Sequence, residues 1–354
     1  MSEPTDDGPP STPMLSHDHD WHWAERLELL GLSIQQYVYN LLCHETSDLA
    51  TPVAEEGGDT IYAIDRHVEP LIEQSVAAWP DECRPLLLVA EGMGPDGRQR
   101  FGAPGQSTRY RVLIDPIDGT RGLMYDKRSA WFLAAVAFDR GEATGLRDVF
   151  ASVMVELPTS KQGLCDAFAA VRGLPTRCKR TRVGGAEFRL RSVAPSTSAT
   201  LAGGFAHVTS FFQGTRLLAA DLMESIVQAV VPTGTTSRSA VLDDQYISTG
   251  GQMVELITGH DRFCCDLRPL FHQILSGKGP LTFPELTCHP YDAAGLLVAE
   301  QSGVIITDGF GNPLNAGFNV DDSVHWCGYA NSALQSIIQP VIQGWLARHG
   351  IEPH

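Results

Sequence analysis

The chain alternates between stretches whose apolar residues recur every three or four positions and short runs that are apolar throughout. From Trp23, the positions Trp23, Leu27, Leu30, Ile34, Tyr37, Val38, Leu41 and Leu42 share one face and predict an amphipathic helix. Gly57-Gly58-Asp59 breaks the pattern, and a second helix is predicted from Asp65 to Ala78, burying Val68, Leu71 and Ile72. Apolar runs from Leu86 to Ala90 and from Tyr110 to Ile114 predict strands. The Gly-rich segment GMGPDGRQRFGAPGQSTR between them reads as a hairpin or a mobile loop. Trp131 to Phe138 and Val149 to Val155 extend the sheet, with Asp139-Arg140-Gly141 turning between them.

The basic, Gly-containing stretch 172–186 reads as an exposed hairpin or as a boundary between halves. The boundary reading is preferred, giving an amino half over 21–185 and a carboxy half over 186–354. Arg216 to Val230 predicts a helix with Leu217, Ala220, Met223, Ile226 and Val227 as its apolar face. Met253 to Ile257 and Val304 to Thr307 predict strands. A last helix carries Leu334, Ile337, Ile338, Val341, Ile342, Trp345 and Leu346, with Pro340 kinking it or marking its start. No internal repeat is found. Strands interleaved with helices predict an α/β or α+β layered protein.

Composition narrows the class. Hydrophobic residues make up 43% of the 354 residues, enough for a substantial core. No stretch approaches the roughly 18 uninterrupted apolar residues that a membrane span needs. The first twenty residues are acidic and polar and lack an apolar signal core, so residues 1–20 are expected to be a disordered tail. His17, His19 and His22 then read as solvated side chains rather than a transition-metal site. A soluble, cytoplasmic protein is expected. With 42 acidic against 26 basic residues the net charge is −16, which repels a nucleic acid and suits a protein that gathers divalent cations. Eight scattered cysteines, with Cys264 and Cys265 adjacent and no CxxC, are expected to be reduced thiols.

The segment YRVLIDPIDGTRG, residues 110–122, carries the most chemistry. An apolar strand ends in Asp115, a proline prevents the sheet from simply continuing, and Asp118 follows three residues on. Two such carboxylates can converge on one or two hard cations, and magnesium takes oxygen ligands while keeping waters for substrate. The N–H groups of Gly119 and Thr120, where they open a helix, offer a place for phosphate. Taken alone, D-P-x-D-G reads equally well as a turn of solvated acids.

DPIDGT at 115–120 resembles the core motif of the inositol-monophosphatase-like superfamily of metal-dependent phosphatases, which includes fructose-1,6-bisphosphatases and 3′-phosphonucleotide phosphatases. GGDTIYAID (57–65) resembles its early D-x-V-T-x-x-D element, LLLVAEGMG (86–94) its strand ending in a glutamate, and HPYDAAGLLVAEQSGVIITD (289–308) its late W-D-x-A-A-G helix and strand. The four motifs occur in the family's order and the resemblance spans roughly residues 23–345.

The resemblance implies a layered αβαβα sandwich of the sugar-phosphatase type, two or three magnesium ions, and hydrolysis by a metal-activated water. It implies Glu91, Asp115, the Ile117 carbonyl, Asp118 and Asp292 as metal ligands. Glu91 and Thr120 would orient the water, with Asp65 near a further metal, and Gly119 and Thr120 would meet the phosphate. Glu285, seven residues before Asp292, is a candidate for substrate hydroxyls, and Arg238, Arg268 and Lys278 are candidate anion contacts. The chain departs from the family at Gly92, where a second acid is common, at Leu123, where an aromatic is usual, and at Arg121. Around Asp292 the late motif is locally shorter, so this residue reads as a ligand or as a helix cap. Residues 259–286 resemble an insertion that shapes the substrate pocket.

The expected function is hydrolysis of an inositol, sugar or polyol phosphate. A 3′-phosphonucleotide phosphatase or a bisphosphatase is an alternative, and a non-catalytic metal- or ligand-binding protein of the same fold is the rival from another class. The expected partner is a small phosphorylated metabolite, with neither nucleic acid nor membrane, and a homodimer is possible by resemblance.

Overall fold

A computed structural model describes residues 17–44, 49–56, 59–94, 96–231 and 240–353. Residues 1–16 of the expected tail, and Arg238, lie outside the described residues. Helix α1 (His17–His44) starts six residues before Trp23, so residues 17–20 are helical rather than tail. His19 is packed there: its ring stacks on Tyr110 with centroids 6.0 Å apart, and its Nε2 lies 3.1 Å from the Tyr110 hydroxyl.

Strands β1 (Pro52–Glu56) and β2 (Asp59–Tyr62) form an antiparallel ribbon that leads into α2 (Ala63–Ala77). Asp65 closes the start of α2 by accepting the Tyr62 N–H at 2.9 Å. There follow β3 (Leu86–Ala90), β4 (Arg98–Phe101), β5 (Tyr110–Asp118), the single turn α3 (Thr120–Leu123), β6 (Ala130–Phe138) and β7 (Val149–Leu157). Then come β8 (Leu164–Val171), β9 (Arg177–Arg182) and β10 (Phe188–Arg191). The strands make one sheet in the order β10-β9-β8-β7-β6-β5-β3-β4, antiparallel except for the β3–β5 pair. The Gly-rich segment is a β3–β4 hairpin, turned by Gly92, Gly94 and Gly97 at positive φ. The stretch 172–186 contains β9 and enters the β9–β10 hairpin, so this sheet runs on to Arg191.

The remainder comprises β11 (Phe205–Val208), α4 (Arg216–Val230), α5 (Thr249–Ile257), β12 (Asp261–Asp266), α6 (Arg268–Ser276) and α7 (Leu296–Gln301). It closes with β13 (Ile305–Thr307), β14 (Trp326–Tyr329) and α8 (Ser332–Arg348). A second sheet runs β11-β12-β14-β13. Residues 259–286 supply β12, an inner strand of this sheet, and α6.

Three apolar cores stack these elements in five layers. Alternation along β6 shows how: Phe132, Ala134 and Val136 face the core under α1 and α2, while Trp131, Leu133 and Ala135 face α5 and α7. The second core continues to one face of the four-stranded sheet through Cys264, Ile306 and Trp326. The third lies on its other face, where Phe263, Cys265 and Tyr329 meet α4, α6 and α8. The order is thus helices, eight-stranded sheet, helices, four-stranded sheet, helices. No helix among the described residues is long and apolar enough to cross a membrane. All eight cysteines are free.

Three local expectations are corrected. Met253–Ile257 is the end of α5, not a strand. Ser248 caps its start by accepting the Gly251 N–H at 2.8 Å. Its end is a Schellman turn, with Gly259 at φ +77° and the His260 N–H on the Glu255 carbonyl. Nearly every residue of α5 is buried, so it lacks the amphipathic period of a surface helix. In α4 the buried face is Ala219, Leu222, Ile226 and Val230, leaving Leu217 exposed. Helix α8 begins eight residues before Pro340 and is capped by Asn331, so the proline does not start it.

Candidate metal centre

The two aspartates of DPID reach one face through an irregularity in the sheet. On β6, Asp115 stands opposite Leu133 and Asp118 opposite Trp131, so three steps on β5 match two on its neighbour. In an unbroken strand, residues three apart point to opposite faces. The extra residue at Pro116-Ile117 is a bulge that restores both carboxylates to the same side. Strand β5 therefore continues through Asp118 instead of stopping at Pro116. Ala90 pairs with Ile114 in the parallel β3–β5 ladder, which sets Glu91 beside Asp115 just past the end of β3.

Asp292 completes the group from the turn ahead of α7. Carboxylate oxygens of Asp115, Asp118 and Asp292 all lie within 4.8 Å of one another. Asp292 also accepts the His289 N–H at 2.5 Å. Asp292 thus joins the cluster and ties the turn before α7, whose own N-cap is Gly295 and not this aspartate.

Each member is held. Asp115 Oδ1 accepts the Ile117 N–H at 3.0 Å. Asp118 lies against the start of α5: its Oδ2 accepts from the Gly250 N–H at 2.5 Å and the Ser248 hydroxyl at 2.8 Å, and its Oδ1 from the Thr249 N–H at 3.1 Å. Ser248, Thr249 and Gly250 were missed as site residues, although Ser248 followed by an apolar run and Gly259 is a legible helix signature. The Thr120 hydroxyl lies 3.0 Å from Asp65 Oδ1 and 2.7 Å from the Ile117 carbonyl. Gly119, at φ +103°, is in the left-handed region, and a Cβ there would crowd Ser248 Cβ at 3.1 Å.

The cluster carries more negative charge than its surroundings tolerate. Burial, then Asp118, Asp292 and Glu91, push the Asp115 carboxyl well above the usual carboxylate range. Burial and Asp292 push Asp118 up to about 8, against the lowering donors Gly250, Ser248 and Thr249. A buried all-oxygen site with surplus negative charge fits a hard divalent cation, and its lack of sulfur and imidazole argues against zinc or copper. Among the described residues no other such group of three forms.

The cleft over the cluster is lined by Asp65, Glu91, Asp115, Ile117, Asp118, Gly119, Thr120 and Asp292, so eight expected site residues come together. Glu285 is exposed and does not line it. Lys278 lines a separate hollow with Gly214 and Phe283. Arg268 does line the cleft, but its guanidinium is spent on Asp266, with Nε 2.8 Å from Oδ1 and Nη2 2.5 Å from Oδ2. Beside Glu91, a Cβ at Gly92 would lie 2.7 Å from Oε1 of Glu69, so a carboxylate from α2 fills the space a second acid there would need.

No protein-family model matches the chain, and no curated protein matches it in sequence. Solved structures do match. Leishmania major fructose-1,6-bisphosphatase superposes with a TM-score of 0.64 at 12% identity, covering 95% of this chain and 100% of that one. Mycobacterium tuberculosis SuhB gives 0.58 at 11%, over 92% and 97%. The Thermotoga maritima IMPase gives 0.57 at 15%, over 94% and 100%. At these identities the likeness is one of architecture: the chain has the fold of the inositol monophosphatase and fructose-1,6-bisphosphatase structures, the fold that its four motifs implied.

Proposed function

We propose that the protein is a magnesium-dependent phosphatase that hydrolyses a phosphate monoester of a small alcohol with water. The observation that carries this reading is the convergence of Asp115, Asp118 and Asp292 within 4.8 Å at the floor of a cleft. These three, with Glu91 and the Ile117 carbonyl, would hold two or three ions. A bound magnesium supplies the positive charge that offsets the phosphate and makes water acidic enough to act near neutral pH.

The remaining work falls to the chain. Thr120 donates its hydroxyl proton toward Asp65 Oδ1, which leaves its oxygen lone pairs to accept a hydrogen from the attacking water. Glu91, beside Asp115, takes the proton that this water gives up as the new P–O bond forms, and the departing alkoxide takes a proton from solvent to leave as the alcohol. Gly119, at φ +103° with Ser248 and Ile247 packed against its bare α-carbon, turns the chain from β5 into α3, where the backbone of Gly119 and Thr120 would meet the phosphate. Asp118 is fixed by three donors and does not swing when a cation enters.

The test is phosphate release from a panel of monoesters with and without magnesium, beside an Asp115→Asn control. Release that needs magnesium and vanishes in the variant supports the proposal. Magnesium binding with no release from any compound would favour a non-catalytic binding protein of the same fold.

A further inference from the structure

Strand β10 closes one edge of the eight-stranded sheet: it pairs with β9, and no other strand among the described residues meets its outer side. Such an edge presents a row of backbone N–H and C=O groups to which another strand can add. Its two faces differ. On β9, the Arg177 guanidinium lies 3.6 Å from the Trp21 ring centre and Lys179 Nζ lies 2.8 Å from Glu28 Oε1, so both residues look toward α1. Thr181 follows on the same face by alternation. Cross-strand partners share a face, so Phe188, opposite Thr181, and Leu190, opposite Lys179, also look toward α1. Arg189 and Arg191, opposite Arg180 and Cys178, look the other way.

The apolar face is open. Phe188 is 53% exposed and Leu190 73%, and between this hairpin and α1 runs a groove of about 430 Å³ walled by Leu29, Leu32, Ala186 and Phe188. The other face is cationic. The stretch 172–191 holds seven basic residues and one acid, Glu187, in a chain whose net charge is −16. Arg180 and Arg191 share Asp166, at 2.6 and 2.7 Å. Arg182 and Arg189 are exposed and have no ion-pair partner among the described residues. Charge on a short edge strand can serve merely to keep other chains away. Protection of that kind does not account for two large apolar side chains left exposed on the same four-residue strand.

We propose that the outer edge of β10 is a docking site for an extended segment of a partner protein in which apolar and acidic residues alternate. The segment adds a strand to the sheet through backbone hydrogen bonds, its apolar side chains enter the groove beside α1, and its carboxylates meet Arg182 and Arg189. A second copy of this chain fits less well, because joining two β10 edges brings both arginine faces together. A nucleic acid would make no use of the apolar groove.

The experiment measures fluorescence anisotropy of short labelled peptides with the full chain. One peptide alternates valine and glutamate, and a second has the same composition with the glutamates grouped at one end. A third carries lysine in place of glutamate, and a fourth is the first with its backbone amides methylated, which keeps every side chain and removes the donors. The alternating peptide is expected to bind about tenfold or more tightly than each of the others. Arg189→Glu should weaken it about tenfold or more and let the lysine peptide bind instead, since like charges then face each other in the first case and opposite charges in the second. Phe188→Ser should weaken the alternating peptide without that exchange, and circular dichroism checks that both variants fold. Equal binding of the alternating and grouped peptides, binding that survives amide methylation, or no binding by any peptide would overturn the proposal. So would an oligothymidylate that binds more tightly than the alternating peptide and is lost in Arg189→Glu, which marks a nucleic-acid surface. A dimer in sedimentation that Phe188→Ser dissociates would give the edge to a second copy instead.

Discussion

Asp118 accepts the backbone N–H of Gly250 at 2.5 Å, so one carboxylate both belongs to the charged cluster and closes the start of helix α5. Asp115 accepts the Ile117 N–H two residues along its own strand, a contact that leaves α5 to Asp118. Neutralising the two should therefore act in opposite directions. Asp118→Asn leaves one acceptor oxygen for three donors, and a loss of about 1–3 kcal/mol is expected from denaturant titration. Asp115→Asn relieves crowding of like charge and should raise the melting temperature of the metal-free protein. Both variants should lose the rise in melting temperature that magnesium gives the wild type. Equal effects on the metal-free protein would count against the role of Asp118 in holding α5.

Thr120 supplies a prediction about rate rather than stability. Thr120→Val keeps the shape but removes the hydroxyl shared between Asp65 and the Ile117 carbonyl. On the phosphatase reading kcat should fall about 10²- to 10⁴-fold, the span typical of a lost proton-handling group. The magnesium-induced melting shift should survive. Loss of that shift as well would mean that the hydroxyl shapes the cation site.

Gly92 should resist substitution. Its φ of +73° is left-handed, and an added Cβ would lie 2.7 Å from Glu69 Oε1. Gly92→Ala is expected to cost about 1–3 kcal/mol, the scale of a strained non-glycine backbone. Adding Glu69→Ala should recover only the part owed to the collision. Full recovery in the double variant would show that the backbone carries no strain.

A second buried pair contributes to the dependence of stability on pH. His207 on β11 and Asp261 at the start of β12 approach to 3.6 Å, and burial holds both neutral rather than as an ion pair. Burial pushes the His207 imidazole down from 6.5 to about 4, so the unfolded chain binds the extra proton between those values and stability rises with pH there. Burial pushes Asp261 up from 3.8 to about 7, so the folded protein holds the extra proton and stability falls as pH rises through 7. The two trends oppose each other between about 4 and 6.5, and above that Asp261 alone of this pair acts; saturating magnesium, which would keep Asp115 and Asp118 ionised, isolates the pair in the profile. Melting temperature should thus decline from pH 6.5 to 8 in the wild type. In Asp261→Asn that decline should disappear and the rise from pH 4 to 6.5 should emerge. An unchanged profile in the variant would assign the decline to other groups.

Much of the site was legible in the sequence because strand ends and turns are local. The apolar run before Asp115, the proline and the glycine are all written within ten residues, and the cleft gathers the acids that the motifs named. What escaped was set by contacts distant in the chain. The α5 helix is buried on nearly all sides, which erases the period by which helices are recognised, and its grip on Asp118 spans more than a hundred residues. Arg268 was legible as a cation, but its capture by Asp266 depends on the turn from β12 into α6. Glu69 shares a helix face with Asp65, yet its contact with Gly92 required the packing of α2 against the loop after β3. The reading of α4 failed by one position, because an apolar leucine at its exposed first turn displaced the inferred face.

The bulge at Pro116-Ile117 makes the centre depend on parity. Removing one residue between Asp115 and Asp118 would leave every acid in the chain and still turn one of them to the opposite side of the sheet, where Phe132 and Ala134 pack under α1 and α2. Substitutions at 116 or 117 alter side chains one at a time, whereas a single-codon deletion there would bury a carboxylate in hydrocarbon and dismantle the cluster in the same stroke. Selection on this segment should therefore bear on its length more stringently than on the identity of its two middle residues.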